Sequence, residues 1–490
     1  MNSKHCAMLV AVAAVFALSS CSGLGNVCKV NCGGGGNGDA SLSLTLAAEP
    51  LTPPPGTSIL SFVVVINSVS LTPSSGGSVV NIPLNNSAFA VDLTRLQSDS
   101  AYLGQYINSV PAGTYNTVTM GITSAVVTYC TVTSGTPGCN TGSITQLAAA
   151  AGAPSTSTFS LTLAANQQAG LRVVINFNNA LTVNPNTQAV TGLNLAATNV
   201  LTTATLPPAF STLSSGQLDY IEDVTGVVTA SSGSSVTVQT ATRGSITSTI
   251  NGSTIISDNC VVLNSSCSAT PGQVVSIDAT LNADGTSTML EFDPLTATSV
   301  DLIEGIVTSE STSNTQFQMV ANDYVPATSS SRISGLSLGD TVNVTLANLA
   351  SGFFIDDKGL PVTANSFLGS TSATDIHTGQ TVIVRVTAFT ARSGNTPAAA
   401  TADAVALRYT RFAATASATG APQFTIGSLP PFFGININPV VQLGTGSPST
   451  YLDGYTSSGS ISSDDNLGIR ALYFGPTVTP TFTAAKIRMN

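Results

Sequence analysis

Alternation of apolar and polar residues, which is typical of β-strands, recurs along most of this chain. In the segment 41–46 every second residue is leucine, so the leucines lie on one face of a predicted strand. The segment 59–71 contains an apolar run rich in β-branched residues at 62–66, which is too short to span a membrane and indicates a buried strand. Further strands are predicted at 118–127 and 171–177. The pattern therefore predicts an all-β protein.

Internal repetition begins after a proline-containing linker at 206–208. A glycine inside an alternating strand occurs first at Gly226 and again at Gly305. The next strands, at Val238 and Phe317, each lie 12 residues after their glycine. This spacing predicts that two copies share one register.

A second repeated motif is a turn glycine that leads into an alternating strand, at 272–277 and again at 379–384. The second copy carries about 28 additional residues, which include another turn and strand at 338–344. A third, divergent copy is predicted because Phe412 and Phe424 have the same 12-residue spacing, although its first glycine is missing.

These patterns divide the chain into six predicted segments. They are a signal peptide at 1–20, a Gly-rich tether at 21–40, an N-terminal β-sandwich at 41–205, a first β-module at 217–300, a second β-module with an insertion at 301–411, and a divergent third β-module at 412–490.

Three short motifs of the N-terminal part occur in a characteristic order: V-D-L-x-x-L spans 91–96, P-A-G-x-Y spans 111–115, and L-x-V-x-I-x-F spans 171–177. In this order the motifs resemble the lipoprotein domain family called domain of unknown function 4382, over roughly residues 41–200.

The resemblance implies a β-sandwich of the transthyretin-like or carboxypeptidase-regulatory type, in which Gly113 makes a turn and Tyr115 packs inward. It implies no activity. Asn176 and Asn178 stand where an acidic residue is expected, which puts a metal role of that strand in doubt. The repeats at 217–490 resemble the small β-barrel modules called domain of unknown function 5666. Together these resemblances predict a transthyretin-like β-sandwich followed by two or three small β-barrel-like repeat modules.

The N-terminal segment has the layout of a secretory signal, with Lys4 near its start and an apolar core at 7–18. The run Leu-Ser-Ser-Cys that ends at Cys21 resembles the bacterial lipoprotein box, which implies cleavage before Cys21 and acylation of that cysteine. Ser22 follows the cysteine, which by analogy with enteric bacteria favours the outer membrane. The alternative is an ordinary signal peptide that is cut elsewhere.

The charge of the chain argues against one class of partner. The chain of 490 residues has 14 Lys and Arg against 24 Asp and Glu, and only 8% of its residues are charged. Proteins that bind nucleic acid need a basic surface, so nucleic acid is not an expected partner. Beyond residue 20 no uncharged apolar run reaches 18 residues, so the expected contact with the membrane is the lipid anchor alone.

Six cysteines remain in three local couples when Cys6, in the signal peptide, and Cys21 are set aside. Disulfides are predicted for all three couples, because a short loop separates the cysteines and the protein is exported. The couples are Cys130 with Cys139, Cys260 with Cys267, and Cys28 with Cys32 in the tether. Metal ligation is the alternative, but Cys-x-x-Cys pairs and spare histidines are lacking.

No catalytic residue, cofactor or metal site is predicted. The string around Ser337 fits G-x-S-x-G, and Asp375 and His377 follow in the order of an α/β-hydrolase. However, a nucleophile elbow needs a helix after the serine, whereas the segment 341–346 has the pattern of a strand.

Acidic clusters are the remaining candidates for a metal. They occur at Asp356-Asp357, at Asp464-Asp465 and at Asp284 beside Asn282. They are interpreted as solvated turns, with calcium as the alternative, because no series of calcium-loop spacing is present.

Aromatic residues in Gly/Pro-rich stretches are the candidates for a contact surface, because they lie outside the predicted strands. They are Tyr451, Tyr455, Phe432 and Phe433. The expected function is a non-enzymatic binding or scaffold role in the bacterial envelope, through loops that contact glycan or envelope proteins. A structural or adhesin-type surface component is the alternative, and a hydrolase comes third.

Overall fold

The computed structural model describes residues 38–490 except 54–55, 150–153, 209–210, 257–268, 311–312, 361, 363–365, 419, 435–438 and 447. Strands dominate the described part, which confirms the all-β prediction. The predicted signal peptide, most of the tether and the cysteines at 21, 28, 32, 260 and 267 lie outside the described residues. Across the residues that the structure describes, no helix has the length and apolar character needed to cross a bilayer.

The N-terminal domain is built from two large β-sheets and one two-stranded sheet. Its strands are β1 Ala40–Ala48, β2 Thr57–Pro73, β3 Val80–Ile82, β4 Phe89–Asp92, β5 Ala101–Val110, β6 Gly113–Thr131, β7 Thr145–Ala149, β8 Ser155–Leu163, β9 Gln168–Ile175, β10 Leu181–Val183, β11 Val190–Leu193 and β12 Leu201–Leu206, with a 3-10 turn at Arg95–Gln97 and a short helix, α1, at Phe177–Ala180. One large sheet has the order β12-β9-β1-β5, and the other large sheet has β3-β2-β6-β7 with β4 on β2 and β8 on β6. Strands β10 and β11 form the two-stranded sheet. A continuous apolar core joins strands of both large sheets. Tyr115 is buried in this core, as the family resemblance implies, and its hydroxyl donates to the carbonyl of Pro111.

Strand β1 is buried along its whole length. It lies between β5 and β9, and Leu42, Leu44 and Leu46 pack into the sandwich core. The polar face, which alternation alone would leave exposed to water, is covered by the next domain. There the Thr45 hydroxyl donates to Asp219 at 2.6 Å.

Three small barrels follow, and each contains five main strands and one short strand. The first has β13 Gln217–Ser231, β14 Ser235–Gln239, β15 Ser245–Thr249, β16 Ile255–Ile256, β17 Val274–Asn282 and β18 Ser287–Thr296. The second has β19 Leu302–Ser309, β20 Gln316–Val325, β21 Thr341–Leu346, β22 Phe354–Ile355, a 3-10 turn Ala373–Asp375, β23 Thr381–Thr390 and β24 Ala398–Arg408. The third has β25 Thr410–Ala418, β26 Gln423–Ser428, β27 Val440–Leu443, β28 Tyr451–Asp453, β29 Asn466–Tyr473 and β30 Phe482–Met489, with 3-10 turns at Pro431–Phe433 and Ser458–Ser460.

All three barrels share one topology. If the five main strands of a barrel are numbered in chain order, their order around the barrel is 1-2-3-5-4-1. Strands 3 and 5 are paired in parallel. The short strand also pairs in parallel with strand 5, beyond the end of strand 3. This is the strand order of the oligonucleotide/oligosaccharide-binding (OB) barrel, a five-stranded Greek-key fold. The third segment is therefore a structural repeat of the first two.

Strand 4 of each barrel begins after a residue with a positive φ angle, which supplies the turn. Gly272 and Gly379 hold this position in the first two barrels, with φ of 95° and 90°. Asp464 holds it in the third barrel, with φ of 70°. Aspartate tolerates this left-handed conformation better than most residues, so the turn persists although the glycine motif is lost.

The register of the first hairpin differs from the sequence prediction. Val228 is opposite Val238 in the first barrel, whereas Val307 is opposite Met319 in the second, so Met319 rather than Phe317 is equivalent to Val238. The second hairpin is two residues longer. Because side chains alternate with a period of two, this shift keeps the same face buried and leaves no trace in the hydrophobic pattern.

The glycine that the third repeat lacks is replaced by another residue. Val275 is opposite Gly226 and Val382 is opposite Gly305, and the equivalent residue Leu467 is opposite Ala414. Ala414 thus takes the place of the glycine, two residues after Phe412. The spacing from Phe412 to Phe424 was the wrong guide to this register.

Replacement of Gly305 by alanine tests the pairing of β19 with β20. A Cβ there would lie 2.4 Å from the carbonyl oxygen of Val320, so the backbone of β20 has to move. We expect Gly305→Ala to lower the free energy of unfolding by roughly 1–3 kcal/mol, measured by urea denaturation. Gly233→Ala, where a Cβ meets no atom within 4 Å, is the control. Equal stability of the two variants would contradict this account of the strand pairing.

Candidate functional site

The N-terminal domain reaches the barrels through the segment that follows β4. Asp92 organises this segment, because its carboxylate accepts hydrogen bonds from the backbone N–H groups of Phe62 and Thr94, at 2.9 and 3.0 Å. The same carboxylate accepts from the side-chain amide of Asn322 in the second barrel, at 2.6 Å. The V-D-L segment therefore builds a turn that is fixed to a neighbouring domain, and Arg95 lies three residues after Asp92.

The side chain of Arg95 lies where three domains meet. Its guanidinium donates to Asp223 of the first barrel and to Glu304 of the second, both at 2.5 Å, and lies 3.8 Å from Asp323. The side chain is only 6% exposed. Negative charge around it outweighs the desolvation and raises the pKa of Arg95 above its ordinary value, so Arg95 is a permanent buried cation.

Arg95 belongs to a large set of buried charges, which we call the ionic junction. Among the twelve Lys and Arg residues that the structure describes, nine have side chains no more than 10% exposed and pair with acids at domain boundaries. The cations are Arg95, Arg172, Arg243, Lys358, Arg408, Arg411, Arg470, Lys486 and Arg488, and the acids are Asp99, Asp219, Glu222, Asp223, Asp278, Glu291, Asp293, Glu304, Asp323, Asp356 and Asp453. Most of the basic side chains of the described chain are thus used inside the protein.

The ionic junction has two parts. One is centred on Asp223, and the other is centred on Asp453 of the third barrel. In the second part Arg488 donates to Asp453 at 2.8 Å and to the carbonyl of Asp99 at 2.7 Å. The carboxylate of Asp99 in turn accepts from Arg411 at 2.9 Å. The loop that contains Asp99 therefore links the two parts.

Equivalent positions of the first and third barrels carry opposite charges. Asp278 lies six residues after the turn residue Gly272, and Arg470 lies six residues after the turn residue Asp464. Arg470 donates to Asp278 at 2.9 Å, so the residues at the same position of two different barrels form an ion pair with each other. On strand 1, Asp223 and Arg411 are related and paired in the same way. The first barrel supplies acids where the third supplies bases.

Two acids of the junction have no cation within 4.0 Å among the described residues, Glu291 and Asp293. Burial, together with the negative charge of Asp278, raises the pKa of Glu291 to about 8. Burial and the negative charge of Asp356 raise the pKa of Asp293 well above its ordinary value. The Tyr451 hydroxyl donates to Glu291 at 2.8 Å. Acids outnumber bases in the junction, and the raised pKa values of these two carboxyls favour their protonated form.

The disulfide loop of the N-terminal domain rests on two barrels. Cys130 and Cys139 form a disulfide, which confirms the predicted couple. Within the loop, the N–H of Gly138 donates to the carbonyl of Phe432 at 2.9 Å, and the N–H of Cys139 donates to the carbonyl of Thr308 at 3.1 Å. The loop is therefore a fixed contact between domains.

A polar cleft of ≈ 760 Å³ opens beside this loop. One wall is the loop and the start of β7, from Cys139 to Gln146. The opposite wall belongs to the second barrel, with Gln318 on β20 and Arg392 and Asn395 in the loop between β23 and β24. The ligand sites of OB barrels use strands 2 and 3 and the loop between strands 4 and 5, and the second barrel presents this side to the cleft.

The four aromatic residues predicted to form a contact surface do not form one. Phe432, Phe433 and Tyr455 are buried, and Tyr451 is half-buried with its ring stacked on Tyr220 of the first barrel at 5.1 Å. Phe432 packs against the disulfide loop of the N-terminal domain. Phe432 and Tyr451 thus fill contacts between domains, whereas Phe433 and Tyr455 belong to the core of the third barrel. Sequence alone does not distinguish such positions from exposed ones.

The three residues of the hydrolase-like string take separate roles. The backbone N–H of Ser337 donates to Asp340, Asp375 accepts from Ser370, and His377 lies 3.5 Å from Glu310. Within the described residues no hydrogen bond joins Ser337, Asp375 and His377 to one another. Strand β21 follows Ser337 closely, as the sequence predicts.

The acidic clusters that the sequence contains lie in different environments. Asp356 is buried and pairs with Arg408, so its interpretation as a solvated turn was wrong. Asp284 forms a turn in which it accepts from Thr286, and these bonds hold the pKa of Asp284 below its ordinary value. Asp465 accepts from the hydroxyl of Tyr455. In the part of the chain that the structure describes, no group of three or more metal-ligating side chains comes together.

Sequence reasoning missed the ionic junction, although one signal was present. Charged residues are rare in this chain, yet several lie inside apolar strands, as in the run from Asp219 to Asp223 and in the last strand at Lys486 and Arg488. Lys, Arg, Asp and Glu are almost never fully buried unless they are paired. Charged residues on both faces of an apolar strand therefore indicate that oppositely charged side chains lie against that strand.

Comparison with known proteins finds one match to a family model, in the N-terminal part. Residues 39–204 match a family model. It is described as "Domain of unknown function (DUF4382)". No curated protein matches the chain. A solved structure described as "drosophila Unr CSD456" aligns at 7% identity over 55% of this chain and 97% of its own, with a TM-score of 0.12. That score is too low to relate the folds, so the barrel topology rests on the strand pairing above.

Removal of Arg95 tests the ionic junction. Arg95→Met leaves Asp223 and Glu304 buried with one cation fewer, so we expect the free energy of unfolding to fall by roughly 3–5 kcal/mol. The matched control is Arg332→Met. Arg332 is 57% exposed on its side chain and lies 3.8 Å from Asp301, so its loss is expected to cost about 0–1 kcal/mol. A similar, small loss in both variants would show that the junction does not hold the domains together.

The protonated carboxyls predict a dependence of stability on pH. An unfolded Glu releases its proton near pH ~4.3, whereas the folded protein keeps the proton of Glu291 until its pKa of about 8. The folded state therefore binds more protons between these values, and stability falls as pH rises, by about 1.4 kcal/mol per pH unit for each such proton. Urea unfolding at pH values from 5.5 to 7.5 measures this slope. In Glu291→Gln we expect a smaller slope, and an unchanged slope would contradict the assignment.

Proposed function

We propose that this chain is a lipid-anchored protein of the bacterial envelope with a non-enzymatic binding and scaffold role, whose ligand is a glycan or another envelope protein contacted through loops of the β-domains. One observation carries the proposal. Nine of the twelve basic side chains in the described chain are buried at domain boundaries, where they pair with acids.

This observation supports a scaffold because buried ion pairs require a defined geometry. Charges moved out of water recover their desolvation cost only when their partners are close and well oriented. A shift of one domain against another would separate these pairs. The four domains therefore act as one rigid unit, which suits a protein that holds a ligand at a fixed place outside the cell membrane.

The Leu-Ser-Ser-Cys run supports the anchor, with cleavage before Cys21 and a lipid on its thiol. Ser22 supports the outer membrane, on its periplasmic or surface face. We further propose that the three barrels are modules of the kind called domain of unknown function 5666, which the repeat pattern resembles. Partners other than the membrane are then glycans or envelope proteins, and nucleic acid is not among them.

A structural or adhesin-type surface role is the alternative, and a hydrolase is the third candidate. Glycan binding on an array supports the binding role. Envelope defects or lost adhesion after deletion of the gene, without glycan binding, favour the structural role. Turnover in a hydrolase panel that is lost in Ser337→Ala supports the third candidate.

The anchor is tested by metabolic labelling with radioactive palmitate in a bacterial host. We expect the unaltered chain to be labelled and to fractionate with membranes, because the thiol of Cys21 and the amino group that cleavage frees on it are the proposed sites of lipid attachment. Cys21→Ser should lose the label entirely. Cys6→Ser is the matched control and should keep it, since Cys6 lies in the segment that is removed. Label in Cys21→Ser, or none in the unaltered chain, would refute the lipid anchor.

A further inference from the structure

We propose that the polar cleft between the disulfide loop and the second barrel binds an uncharged oligosaccharide. This inference rests on the proposed binding role and gives it a site and a ligand class. The cleft has a volume of ≈ 760 Å³, which lies within the range of ligand sites in proteins.

The two walls of the cleft come from different domains and are fixed to each other. The Thr128 hydroxyl and the Gln146 amide of the N-terminal domain both donate to the carbonyl of Gly339 in the second barrel, at 2.7 and 2.6 Å. On the other side of the cleft, the N–H of Cys139 donates to Thr308. The cleft therefore exists before any ligand arrives, and binding costs little rearrangement.

The lining of the cleft matches sugar hydroxyls, which act as both donors and acceptors. Amide and hydroxyl side chains predominate, including Asn140, Gln146, Gln318, Asn395, Thr141 and Thr145. An amide offers two hydrogens and a carbonyl oxygen. Gln318 is held by bonds with Asn343 at 2.8 Å and Thr308 at 3.2 Å, which leave part of this capacity for a ligand.

Charge favours a neutral ligand over an anionic one. Arg392 is the only ionisable side chain among the described lining residues, and Asp340 lies 3.7 Å from its guanidinium. The chain as a whole has a net charge of −10, and most of its basic side chains are buried. A polyanion would be repelled by the exterior and would find no cluster of free cations in the cleft.

The position of the cleft gives independent support. In OB barrels, the face of strands 2 and 3 and the loop between strands 4 and 5 form the surface that binds oligosaccharides and oligonucleotides. Here Gln318 lies on strand 2, Thr341 on strand 3, and Asn395 in the loop between strands 4 and 5 of the second barrel. An oligonucleotide is excluded by the charge argument, so the oligosaccharide remains.

The test uses the detergent-solubilised full-length protein on an array that carries neutral, uronic-acid and sulfated glycans. We expect neutral glycans to bind and the acidic members to give no signal. Calorimetry with the best neutral glycan then measures affinity. Gln318→Ala and Asn395→Ala are each expected to weaken binding by about tenfold, the equivalent of one lost hydrogen bond.

The matched control is Gln316→Ala. Gln316 lies on the same strand as Gln318, is exposed, and is outside the cleft lining, so its loss should leave affinity unchanged. No bound glycan, binding only of acidic glycans, or unchanged affinity in both cleft variants would overturn the inference. Palmitate labelling at Cys21 and large destabilisation by Arg95→Met would persist in that case, and the proposed function would then stand with a protein ligand.

Discussion

Arg95 brings a positive charge from the N-terminal domain into a buried site, where Asp223 of the first barrel and Glu304 of the second stabilise it. A guanidinium has no neutral state in proteins, so the charge cannot be removed by loss of a proton. The arrangement is favourable only when all three domains are in place. This contact therefore ties the N-terminal domain to the first two barrels.

The three repeats account for the large number of charged side chains that are buried between the domains. Three barrels with one topology present equivalent surfaces, and identical charges on those surfaces would repel each other. In the first barrel the positions carry Asp223 and Asp278, and in the third they carry Arg411 and Arg470. Opposite charge at matching positions makes contact between these two barrels favourable and makes a contact between two copies of either barrel unfavourable. The charges therefore specify which repeat meets which.

The cleft is a consequence of this arrangement. Its walls belong to the N-terminal domain and the second barrel, which Asn322 and the carbonyl of Gly339 also join. A cleft between domains keeps its shape only when the domains do not move. The buried charges are therefore connected to the binding site although none of the junction's ion pairs lies in its lining, because they fix the two walls.

The sequence by itself determined the strands, the repeat of a small barrel, the Cys130–Cys139 couple and the match of residues 39–204 to a family model. These follow from local information, such as alternation, turn residues and spacing. Only the tertiary structure decided that Phe432 and Tyr451 lie between domains and that Asp356 is buried beside Arg408. The physical reason is that alternation assigns a side chain to one face of a strand. Whether that face meets water or another domain depends on contacts between residues far apart in the chain.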